Sequence, residues 1–267
     1  MVSRRPASRD RRDPERSRLS APRDALYTIL RFIARHVRGF WAALAAFLTA
    51  GLALAGIAAI AFGVLAGIVR GGTIQALDES VVRWLATHRS PALDDIMLEV
   101  TTLGDGVVLI MIVAVASVFL WLTRHHWSVY ILLVGMIGGK VLNTLLKASF
   151  DRTRPSAVEW IDQVSSPSFP SGHAMGAFIT YGTVAYLVAR LEPTRRLRYA
   201  TWFIACAIII AIGISRMYLG VHYPSDVIAG FAAGLAWVAI VASSVTAVRF
   251  FAPRRPVTAV EERDLAK

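Results

Sequence analysis

Apolar residues in this chain fall into six long blocks separated by polar stretches, at about 40–69, 106–122, 127–146, 173–189, 199–214 and 225–248. Most of these blocks approach or exceed the ~20 residues a helix needs to cross the hydrocarbon core of a bilayer. A helix satisfies its own backbone hydrogen bonds in lipid, where no water can do so. The pattern therefore predicts an all-α, polytopic membrane protein, a bundle of six transmembrane helices. The first block is longer than a crossing requires, so it tilts or protrudes. Residues 70–104 contain the amphipathic pieces "DESVVRWLATH" and "ALDDIMLEV". They read as one or two short surface helices and not as spans.

The ends of the chain follow a different pattern. Residues 1–24 are rich in Arg, Pro, Ser and Asp and have too few large apolar groups to order themselves. In "ALYTILRFIARHVR" (25–38), Leu26, Ile29, Leu30, Ile33 and Val37 share one helical face, while Arg31, Arg35 and Arg38 fall largely on the other. Two readings stand for it: a basic helix lying on an anionic membrane face, or an extension of the first span. The expected organisation is a basic, partly disordered tail at 1–38, a membrane domain at 39–250 and a second tail at 251–267.

Composition agrees: 55% of the 267 residues are hydrophobic. A lone cysteine, Cys206, excludes an internal disulfide framework and a Cys-based zinc site. The net charge of +11 would fit a nucleic-acid binder if the basic residues clustered on a soluble surface. They sort by membrane side instead. With the N-terminus inside, the inner segments carry 11, 1, 4 and 5 Lys and Arg, against seven in the outer segments. This bias predicts cytoplasmic N- and C-termini and no nucleic-acid partner.

Three of the seven outer cations, Lys147, Arg154 and Arg216, stand out, in short segments that the topology brings to one face: "KASFDRTRP" with Lys147 and Arg154, "PSGH" at 170–173, and "SRMYLGVHYPSD" with Arg216, His222 and Asp226. Three cations, two histidines and a carboxylate at one membrane depth suit phosphoryl transfer. A phosphate ester needs fixed donors, and its transition state needs them more. Lys147, Arg154 and Arg216 supply charge, the arginines with planar forks that match phosphate. Pro170 precedes a helix start, so Ser171, Gly172 and His173 offer backbone N–H groups to an anion. His222 is the expected nucleophile, forming a phosphohistidine. Asp226, in the first turn after Pro224, accepts the other ring N–H of His222 and fixes its tautomer. His173 is the expected general acid and then base. With these cations in place the scheme requires no metal and no cofactor.

Lys147, six residues, Arg154 and Pro155; then Pro170, Ser171, Gly172 and His173; then Ser215 and Arg216, five residues, His222, three residues and Asp226: this ordered set resembles the three signature motifs of the type 2 phosphatidic acid phosphatase family. That superfamily also includes the vanadium haloperoxidases. The resemblance covers about residues 70–248. It implies a six-helix membrane core, metal-independent phosphatase activity and an active site at the extracytoplasmic end of the bundle, in the cell membrane. Candidate substrates are undecaprenyl diphosphate, phosphatidic acid and phosphatidylglycerol phosphate, the prenyl diphosphate being favoured. A phosphotransferase using the same site, or an inactive lipid-binding or transport protein, are the alternatives.

Some charged residues fall outside the motifs. Lys140 lies within the third span, seven residues before Lys147 and so on nearly the same face two turns deeper. It either adds to the field below the phosphate site or pairs with a carboxylate or carbonyl inside the bundle. Asp151, Arg152, Glu159 and Asp162 read as part of a solvated loop.

Overall fold

The computed structural model describes the backbone of residues 21–251 and the side chains of residues 44–248. Eight helices and no strand occur among them: α1 (Ala21–Arg70), α2 (Gln75–Thr87), α3 (Pro91–Thr102), α4 (Gly106–Leu122), α5 (His126–Phe150), α6 (Gly172–Leu191), α7 (Arg195–Tyr218) and α8 (Pro224–Phe251). Residues 1–20 and 252–267, assigned to the two tails, lie outside the described residues. So do the side chains of the amphipathic stretch 25–38, whose backbone is helical.

Five helices are long and apolar enough to cross a membrane: α1 over Leu44–Arg70, then α5, α6, α7 and α8 over Pro224–Val248. The remaining block, 106–122, is the helix α4. With 17 residues, α4 meets the measure only together with α3, the two being bent by 45°. The bend is local chemistry. Asp105 caps α4 by accepting from Val107 N at 2.8 Å, which ends one helix and starts the next within three residues. The helix α3 is the second of the two short amphipathic pieces expected between the first two blocks.

From Ala50 on, the described residues form one compact unit with α6 at its centre, packed against α4, α5, α7 and α8. More than half of α6 is buried, against about a sixth of the α1 span. Leu52, Ile57, Ile60 and Val64 of α1 stay exposed, as expected of a face turned to lipid. Cys206 is exposed on α7. Helices α6 and α8 approach closely. A Cβ at Gly230 would lie 2.7 Å from the Ser171 carbonyl oxygen, so only glycine fits.

The helix ends at the motifs run further than the hydropathy blocks. α5 continues through Lys147 to Phe150 and stops at Asp151, whose φ of 41° is left-handed. α7 continues through Arg216 to Tyr218. α6 begins at Gly172 with Ser171 as its cap, and α8 begins at Pro224. Lys147 and Arg216, expected just beyond their spans, therefore sit in last helical turns. Hydropathy stops where charge begins, but a helix runs until its backbone is capped.

Candidate active site

The turn between α7 and α8 carries the expected nucleophile. Gly220, at φ 79°, lets the chain reverse beneath the carbonyl of Glu159, which a Cβ there would meet at 3.0 Å. Arg89 fastens the same turn: its guanidinium donates to Tyr218 O at 2.8 and 3.2 Å and to Glu159 O at 2.8 Å. Val221 and His222 follow, both buried, and α8 starts two residues later.

His222 Nδ1 lies 3.4 Å from Asp226 Oδ2. A carboxylate only accepts, so Nδ1 carries the proton and Nε2 keeps its lone pair. Burial pushes the His222 imidazole down to about 3, against the opposing pull of Asp226, so it rests neutral. Asp226 is completely buried and its carboxylate is fully used. Oδ2 accepts from Ser168 Oγ at 2.5 Å and from Tyr223 N at 2.8 Å, and Oδ1 accepts from Arg152 Nη1 at 2.7 Å.

Arg152 is the hub behind this pair. Besides Asp226, it donates to Ser225 Oγ at 2.8 Å, Gln75 Oε1 at 2.9 Å and Asp78 Oδ2 at 2.9 Å. Its guanidinium stacks 4.3 Å from the Tyr223 ring. Ser225 donates in turn to the buried Asp78, through both its N–H and its hydroxyl. One arginine thereby joins α2, the loop after α5 and the start of α8.

The expected phosphate ligands gather in front of His222. Arg154 Nη1 is 3.3 Å from His222 Nε2. The same Nη1 donates to Val221 O at 2.5 Å, and Nε donates to Ser166 O at 2.8 Å. Burial, then the charge of Arg216, lowers Arg154 to about 10, which leaves it a cation at neutral pH. Lys147 donates to Ser166 Oγ at 3.2 Å and to the Pro167 carbonyl. Arg216 is fully buried, and its Nη1 donates to Asp162 Oδ2 at 2.7 Å and Thr101 Oγ1 at 2.8 Å. Its Nε and Nη2 have no partner among the described residues. Leaving such donors unmet costs about 1–3 kcal/mol each.

The "PSGH" run divides its donors. Ser171 Oγ caps Ala174 N at 3.4 Å, and Ser171 N donates to Asp226 O at 3.0 Å. The expectation that the Ser171 N–H faces the anion is thus corrected, because it ties α6 to α8. Gly172 and His173 head the helix and line the cavity described next.

A cavity of about 1030 Å³ opens here. Arg154, Gly172, His173, Arg216 and His222 line it, with Lys147. The rest of its wall is mostly apolar and includes Val107, Ile110, Ile137, Val141 and Ile179. On α5 its lining reaches from Met136 to Ala148, about 18 Å of helix. Three motifs scattered over 80 positions of sequence therefore share one chamber with a greasy extension.

The sequence profile of the PAP2 superfamily matches residues 128–250, which contain all three motifs. Phosphatidylglycerophosphatase B of Bacillus subtilis is 33% identical over 175 residues, 65% of this chain and 86% of that relative. The chain belongs to the PAP2 superfamily. It falls in the membrane lipid-phosphatase branch, as the motifs implied. A transmembrane PAP2-type phosphatidylglycerolphosphate phosphatase from Bacillus subtilis has the same fold, with a TM-score of 0.68 and 28% identity over 76% of this chain and 99% of that one. A lipid A 1-phosphatase of Rhizobium johnstonii is 39% identical over 116 residues, 40% of this chain and 43% of its own length.

Two functional positions of this PAP2 protein escaped sequence reasoning. Arg152 and Asp162 were read as solvated loop residues, and the structure turns both into the site. Arg152 carries a signal in hindsight: it lies between Lys147 and Arg154, in a stretch that must pass the site. Asp162 carries none, because its partner Arg216 lies 54 positions away, beyond α6 and at the far end of α7.

Proposed function

We propose that this PAP2 protein hydrolyses a lipid phosphate or diphosphate without a metal, through a phosphohistidine. The observation that carries this reading is Arg216, fully buried on the cavity wall with two guanidinium nitrogens unmet. An anion seated against Nε and Nη2 satisfies both and neutralises the crowd of cations around it. The apolar extension of the cavity suits a lipid, whose chain stays in a bilayer-like environment while its phosphate reaches the charged end.

The proposed reaction has two steps. The phosphate sits among Lys147, Arg154, Arg216 and the N–H groups at the head of α6. His222 Nε2 attacks phosphorus, and the P–O bond to the lipid breaks. His173 gives its proton to the departing oxygen. Asp226 steadies the charge that His222 acquires. Water then attacks the phosphohistidine, His173 takes its proton, and the N–P bond breaks. Inorganic phosphate results, together with a lipid alcohol from a monoester or a lipid monophosphate from a diphosphate.

The basic bias of the inner segments supports a multi-pass protein of the cell membrane, with its termini in the cytoplasm and its site on the extracytoplasmic side. The activity test is phosphate release by the purified protein in detergent with EDTA present. The lipids are undecaprenyl diphosphate, phosphatidic acid and phosphatidylglycerol phosphate. Release that survives EDTA and disappears in His222→Ala is expected; release abolished by EDTA, or retained by the variant, overturns the mechanism.

A further inference from the structure

The cavity contains one cation that this chemistry does not use. Lys140 lies on α5 seven residues before Lys147, so about 10 Å deeper and within about 20° of the same face. Both residues line the cavity. Lys140 stands ten residues before the end of α5 at Phe150, about 15 Å down the span. An ammonium at that depth is costly and marks a functional position unless something neutralises it. Among the described residues the Lys140 ammonium forms no ion pair and no hydrogen bond; only its carbonyl is engaged, by Thr144 Oγ1 at 3.0 Å. Asp105, the acidic residue in the cavity lining, is occupied in capping α4. Lys147, by contrast, is tethered to Ser166 and Pro167 at the charged end.

The cavity wall on α5, from Met136 to Ala148, offers a path for the linker and tail of a lipid whose terminal phosphate is at His222. We infer that Lys140 binds a second phosphate of the substrate, on the tail side of the one that His222 attacks. The inference rests on the lipid-phosphatase reading and narrows its substrate class to lipids carrying two phosphates. Two sources share this chemistry: a prenyl diphosphate, and a phospholipid whose terminal monoester is joined through glycerol to a phosphodiester. The flexible four-carbon stem of lysine lets one ammonium serve either spacing. A lipid with a single phosphate leaves Lys140 without a partner.

The test compares kcat/KM of the purified full-length protein on four lipids: prenyl diphosphate, phosphatidylglycerol phosphate, phosphatidic acid and prenyl monophosphate. Lys140→Met is expected to lose tenfold or more, mainly through KM, on at least one two-phosphate lipid, and less than twofold on the single-phosphate lipids. Whichever two-phosphate lipid suffers identifies the source. Lys140→Arg should stay near wild type, and Lys140→Gln should reproduce the Met result with a polar side chain. Equal losses on all four lipids, or no loss on either two-phosphate lipid, overturn the inference and leave the phosphatase reading intact. A wild-type protein inert on all four overturns the phosphatase reading itself, and the inference with it.

Discussion

Arg152 and Asp226, 74 positions apart in sequence, meet at 2.7 Å behind His222. The same guanidinium reaches Asp78, so two buried carboxylates share one cation. Arg152 touches neither the cavity lining nor His222, and it acts by fixing the carboxylate that orients the ring. Arg152→Ala is expected to lower kcat by about 10–100-fold with KM changed by less than threefold, since transition-state alignment is lost while phosphate ligands remain. Arg152→Lys should recover part of kcat. A loss carried mainly by KM would place Arg152 among the substrate ligands instead.

His222 makes stability depend on pH. Its folded-state value is depressed to about 3, from about 6.5 in an unfolded chain. The unfolded state therefore binds the extra proton between those values, and stability falls as pH drops from about 6.5 toward 3. Thermal unfolding in detergent should show Tm declining over that window. His222→Gln should flatten the decline. An unchanged slope in the variant would assign the acid sensitivity to another group.

Asp162 holds Arg216 at 2.7 Å and competes with the incoming phosphate for its charge. Asp162→Asn keeps an oxygen for the hydrogen bond and removes the competing charge. Inorganic phosphate, a reaction product, should then inhibit about 3–10-fold more tightly, an effect of the size expected for one partly exposed charge. Weaker inhibition would mean that Asp162 serves mainly to aim the guanidinium.

Gly230→Ala places a methyl group 2.7 Å from the Ser171 carbonyl oxygen, where neither backbone can yield cheaply. The expected cost is about 1–3 kcal/mol, read as a lowered Tm. Because Ser171 N also donates to Asp226 O, activity should fall more than stability alone explains. A variant with wild-type Tm and turnover would show that α6 and α8 can separate freely.

The sequence made the membrane class and the reacting groups legible for different reasons. Hydropathy reports where lipid is, so α5 to α8 could be placed to within a few residues. It also separates the short amphipathic α2 and α3 from the spans, because their polar residues break the apolar run. Lys147, Arg154, His173, Arg216, His222 and Asp226 were recoverable because each motif keeps its residues within twelve positions. Arg152, Asp162, Ser168 and Asp78 were not, since their meaning lies in pairings 54 to 147 positions apart. No local pattern encodes a partner that arrives through folding.

The near-contact of α6 and α8 at Gly230 has a consequence for how such an enzyme can diversify. His173 lies in the first turn of one of these helices and His222 two residues before the other, so both histidines of the site ride on a joint that tolerates almost no change. The α4 and α5 walls of the cavity bear no comparable constraint at Val107, Ile110, Ile137 and Val141. Descendants of one ancestral chain can therefore exchange those side chains to suit a new membrane lipid while inheriting the chemistry unaltered.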